Sequence, residues 1–174
     1  MDEGVGSPTI TWHAAEAFAA EVEVERARWM AISALVESLT DNERRAPGYF
    51  RDPDWSVKDL VAHLTAWMAE ARVQLLDIAA RSYVPHEIAV DARNARILEL
   101  SKAQTWDETW AAANAARAWM LEARFELAEP SDAASYWVRK AGAEHYGEHL
   151  TRLRDWVAEL LALRTRAVVD EGEG

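Results

Sequence analysis

Apolar side chains recur at three- and four-residue spacing along four long segments of this chain, and that period commits a segment to helix. Between about Thr11 and Leu39 the stripe is Phe18, Val22, Trp29, Ile32, Val36 and Leu39. The second segment opens with Trp55-Ser56-Val57-Lys58-Asp59, an N-cap serine with an acidic residue three positions on. Leu60, Leu64, Trp67, Ala71, Leu75 and Ile78 then mark its buried face to about Ala80. Thr105-Trp106-Asp107-Glu108 is a further capping box and opens the third. Trp110, Ala113, Arg117, Met120 and Arg124 share one face there, with Trp106, Leu121 and Phe125 near it and Pro130 closing the helix. The fourth is expected to start between Tyr136 and Ala141 and to reach about Arg166, with His145, His149, Leu153, Trp156 and Leu160 in line.

Four helices with one apolar face each bury those faces best against one another, so the expected fold is an all-α four-helix bundle. Only seven glycines and five prolines interrupt 174 residues, which argues against many short strands. A break at Tyr83-Val84-Pro85 precedes a short helical stretch, about Glu87 to Leu100, inside a long crossover between the second and third helices. The length suits a single domain over residues 1–174, with about 1–10 and 167–174 as flexible tails. A formal net charge of −11 disfavours nucleic acid as a partner, because clustered Lys and Arg would have to meet it. The chain has no cysteine, so metal ligands must be histidine or carboxylate. With no basic-then-apolar leader and no uninterrupted apolar run of spanning length, a soluble, cytoplasmic protein without a membrane partner is expected.

His145 and His149 stand four apart, on one helical face and within reach of one ion. They begin the stripe that continues as Leu153, Trp156 and Leu160, where packing alone would place Leu or Val. A buried polar group without a partner costs roughly 1–3 kcal/mol, and a shared cation satisfies two imidazoles at once. His63 sits at the edge of the second helix's apolar face, near that helix's start. With both helix starts at one end of a bundle the three imidazoles meet, and three protein ligands leave a position open for water or substrate. The spacing equally allows half-exposed histidines hydrogen-bonded to Glu144 and Glu148.

The stretch from Trp55 to Leu64, followed by Trp67, resembles the W-S-V-K-D-L-L-A-H-L signature of the DinB-like superfamily, which includes the N-terminal domain of mycothiol-dependent maleylpyruvate isomerases. Asn94-Ala95-Arg96-Ile97 ahead of Thr105 is similar to the family's middle stretch. Glu144-His145-Tyr146-Gly147-Glu148-His149-Leu150 is similar to its closing His-x-x-x-His element, in the form common in the ClbS/DfsB-type branch. The resemblance runs from the first helix to about residue 162 and implies a bundle of up-down-down-up topology, often a homodimer. It implies zinc or nickel on His63, His145 and His149. It further implies thiol transfer, isomerisation or hydrolysis of an electrophilic small molecule, in detoxification or self-resistance, with mycothiol or bacillithiol as the thiol. The mycothiol isomerases carry glutamate where this chain has His145.

The alternative to an enzyme is a non-enzymatic metal- or small-molecule-binding stress protein. Most of the nine tryptophans are expected in the core. Trp67, one turn beyond His63, is the best placed to line a pocket. Asp59, one turn before His63, is placed either to orient that imidazole or to cap the helix, and capping is the expected role. Arg117 and Arg124 are expected to reach solvent along their aliphatic stems rather than to bind a carboxylate. Tyr146 is expected to face away from the ligands, and His13 and His86 to lie at the surface.

Overall fold

The computed structural model describes residues 12–51, 54–127 and 131–172, without the side chains of 12–15, 17 and 168–172. The expected N-terminal tail, Pro130 and the His13 side chain therefore lie outside the described residues. The chain is all-α apart from one two-stranded hairpin among those residues. The elements are α1 (Trp12–Glu37), α2 (Asp41–Arg45), β1 (Phe50–Arg51), β2 (Asp54–Trp55), α3 (Val57–Ala79), α4 (Val90–Ser101), α5 (Trp106–Phe125), α6 (Asp132–Ala141) and α7 (Ala143–Gly172).

Both capping boxes form. The Ser56 side chain accepts from the Asp59 amide while the Asp59 carboxylate accepts from the Ser56 amide, and Thr105 and Glu108 do the same for α5. The start of α3 also fastens the end of α4. Buried Lys58 donates to the carbonyls of Ser101 at 2.6 Å and Gln104 at 2.9 Å, and the Ser101 hydroxyl donates to Asp59 Oδ1 at 2.6 Å.

The principal packing of α3 is on α5 and α6, and that of α1 is on α7. Ile32, Val36, Leu60, Leu64, Met68, Leu75, Met120 and Leu153 are fully buried between them. Burial of each such side chain is worth about 1.5–3 kcal/mol.

Three expectations need correction. The last helix does not begin before Ala141: α6 ends there and α7 starts afresh at Ala143 and runs to Gly172. Gly142 makes the break, at φ −108° and ψ −106°, and a Cβ at this position would lie 2.6 Å from the Val138 carbonyl. Phe125 lies at the end of α5 and is 76% exposed. Arg117 and Arg124 are not solvent-directed. Arg117 grips the fully buried Glu25 of α1 through Nε at 2.7 Å and Nη2 at 2.6 Å, and buried Arg124 lies 3.5 Å from Glu21. Their stems serve as packing, but the charge of each is matched inside the fold.

Candidate metal centre

His63 lies in the second turn of α3, and His145 and His149 in the first two turns of α7. The fold brings these two helix starts to one place. The ring centroids are 4.7 Å apart for His63 and His145, 5.3 Å for His63 and His149, and 5.0 Å for His145 and His149. One ring nitrogen from each lies within 4.8 Å of the other two. His63 and His145 are buried and His149 is half-buried. The reading in which Glu144 and Glu148 hold the histidines fails, because those carboxylates pair instead with Arg139 and Lys140, each at 3.2 Å.

Burial disfavours the charged form of every ring. It pushes His63 down to about 3, helped by the neighbouring His149 and opposed by the Asn94 amide. It pushes His145 down to about 2, helped by His63, His149 and Lys140. His149 is lowered by burial and raised in part by Glu148. All three are therefore neutral at physiological pH, the protonation state in which imidazole ligates.

The donor set fits an ion for a further reason. His63 Nε2 and His145 Nε2 face each other at 2.8 Å, so two neutral rings can share only one proton there. A cation between the Nε2 atoms uses both lone pairs at once.

Tyr49 prepares the third ligand. Its hydroxyl is 3.0 Å from His149 Nδ1 and 3.4 Å from the His149 carbonyl. With the tyrosine proton given to the carbonyl, the phenol oxygen accepts from Nδ1–H and leaves Nε2 free as a ligand. Tyr49 reaches this position because the residues leading into β1 are tied to α7. Arg152 of α7 donates to the carbonyls of Tyr49 at 2.7 Å and Gly48 at 2.8 Å. Gly48, at φ +115°, lies so close to Trp156 that a Cβ would approach that ring to 2.8 Å.

Beside the histidines lies a cavity of about 490 Å³, within the usual range of small-molecule sites. Phe50, Trp55, Trp67 and Val90 give it apolar walls, and Asn94, Lys140 and Glu148 add polar groups. Trp67 lines this cavity, and Arg93 of α4 lies 5.2 Å over its ring while pairing with Glu70 at 2.8 Å. Asp59 is not at the site. Its oxygens accept from Ser56 and Ser101, so it caps α3 and holds α4 instead of orienting His63. Tyr146 faces away as expected and donates to Glu25 at 3.2 Å in the core, and His86 is exposed. Among the described residues no helix is long and apolar enough to cross a membrane. The chain matches no protein-family model, no curated protein and no solved structure.

Proposed function

We propose that this chain is a metal-dependent enzyme acting on an electrophilic small molecule, built as the DinB-like four-helix bundle that its sequence resembles. The observation that carries the reading is the meeting of three neutral imidazoles on one side of a largely apolar cavity. In this reading α1, α3, α5 and α7 are the bundle helices, α4 lies in the crossover, and α6 leads into α7. Zinc or nickel suits an imidazole set, and such an ion lowers the pKa of a bound water or thiol so that an anion exists at neutral pH.

The chain's own residues account for the remaining steps. His63, His145 and His149 hold the ion and leave a position open, and Tyr49 fixes the proton of His149 on Nδ1. Phe50, Trp55 and Trp67 exclude water from around the electrophile, which protects the nucleophile from competing protonation. A volume of about 490 Å³ accommodates a small electrophile together with the reactive end of a thiol such as mycothiol or bacillithiol. Thiol transfer, isomerisation and hydrolysis are the reactions this nucleophile can begin, and a homodimer is the proposed assembly.

Elemental mass spectrometry tests the premise. Wild-type protein expressed with added zinc or nickel is expected to hold about one ion per chain, and His145→Ala/His149→Ala none. Equal metal content in the two proteins would sink the reading. If the wild type holds the ion yet turns over no electrophile with several thiols or with water, a sequestering protein becomes the better description.

A further inference from the structure

We infer that the ligand of this cavity is an amphipathic carboxylate, its flat apolar body lodged among Phe50, Trp55, Trp67 and Val90 and its charged group received by Lys140. The inference rests on reading the cavity as the substrate site of the three-histidine centre.

The walls set the body of the ligand. Three aromatic rings and a valine offer flat apolar faces, and the polar groups are few. Hydrogen-bonding capacity sets the rest. The Asn94 oxygen already accepts from Trp67 Nε1 at 3.3 Å, which leaves the Asn94 NH2 to give. Lys140 adds an ammonium, and Glu148 is the one carboxylate among the described lining residues. Donors therefore outnumber acceptors, and an acceptor-rich group is the complement.

The Lys140–Glu148 pair makes exchange easy. The two side chains are 3.2 Å apart and 45% and 56% exposed, and ion pairs in such a setting contribute little. A ligand carboxylate that brings an apolar body with it would meet the same ammonium in a drier environment, where the attraction is stronger. A cationic ligand could pair with Glu148, but it would have to approach the ion held by the histidines. The chain's −11 charge repels anions at a distance, so their recognition must be local, and Lys140 is the cationic lining residue that provides it.

The test uses protein loaded with one equivalent of zinc. Three probes share one body: naphthalene-2-carboxylate, naphthalene-2-carboxamide and 2-naphthylmethylammonium. Calorimetry or tryptophan fluorescence reads their binding to wild type, Lys140→Met and Glu148→Gln. The carboxylate is expected to bind at least about tenfold more tightly than the amide or the ammonium. Lys140→Met should remove most of that preference without altering amide binding, and Glu148→Gln should increase it. Equal affinity for carboxylate and amide, or tightest binding of the ammonium, overturns the inference. So does a carboxylate preference that survives Lys140→Met, since the group would then sit on the zinc. Failure to hold zinc overturns the metal centre instead, and the Lys140-dependent preference can still be read in the metal-free protein.

Discussion

Replacing Tyr49 with phenylalanine is expected to weaken zinc binding ten- to a hundredfold while the fold stays in place. Tyr49 is fully buried, and its own carbonyl and that of Gly48 are held by Arg152, so the ring has no reason to move when the hydroxyl is removed. The substitution deletes the hydroxyl that stands 3.0 Å from His149 Nδ1. With Nε2 turned to an ion, Nδ1 must carry the proton, and without the phenol oxygen that N–H is left without an acceptor. An unmet donor of this kind costs about 1–3 kcal/mol. At about 1.4 kcal/mol per factor of ten, that is about fivefold to somewhat over a hundredfold in affinity, the range found for partners behind metal-bound histidines. Competition against a chromophoric zinc chelator at neutral pH measures it, with thermal melting of the metal-free proteins as the control for folding. Metal-free His149 can place its proton on either nitrogen, so the melting temperature should fall less without zinc than with it. A folded Tyr49→Phe protein that binds zinc as tightly as wild type would refute the function given to the hydroxyl.

Two further outcomes follow from buried charge. In the metal-free protein, stability should fall as the pH drops below neutrality. Burial holds His63 at about 3 and His145 at about 2 against an ordinary 6.5, so within that window the unfolded chain binds protons that the native state does not. Stability is therefore full above about 6.5 and is lost as the pH falls toward those values, at most about 1.4 kcal/mol per pH unit for each histidine. Urea titrations just below pH 6.5, above the carboxylate range, should resolve the slope, and a flat profile there would contradict neutral buried imidazoles. Arg117→Met should destabilise by about 3–5 kcal/mol, because among the described residues it leaves the buried Glu25 carboxylate with only the Tyr146 hydroxyl. Adding Glu25→Gln should recover part of that stability in the same urea titrations, and a single-variant effect below about 1 kcal/mol would show that the pair contributes little.

What the sequence discloses depends on how local its cause is. The starts of α3 and α5 are legible because cap and partner are three residues apart, Ser56 with Asp59 and Thr105 with Glu108. The histidines are legible because imidazole is out of place on a stripe that continues as leucine. The separation of α6 from α7 is not, since one glycine interrupts a helical pattern that is strong on both sides. Arg117 and Arg124 resemble stems reaching for water because their partners, Glu25 and Glu21, lie on α1, about a hundred residues away in sequence. Tyr49, Phe50, Trp55 and Lys140 escape for the same reason. Period and spacing report which face of a helix is buried, but not which distant residues are tied to it, and Arg152 fixes that across 103 residues.

The position of the three histidines within the packing carries one more consequence. The principal packing of α3 is on α5 and α6 and that of α1 is on α7, while direct packing between α3 and α7 is sparse. His63 belongs to the first group, and His145 and His149 to the second. The site therefore lies where direct packing between α3 and α7 is sparse. Two of its rings there meet through a single 2.8 Å approach. An ion on these ligands would link the groups at that seam, and its binding energy would be available to the native state alone. Ligation and the docking of α3 against α7 would then be coupled, so the free energy of unfolding should rise with free zinc by RT ln(1 + [Zn]/Kd). The increment should vanish in His63→Ala, which removes the one ligand that α3 supplies. An equal increment in that variant would place zinc elsewhere on the chain.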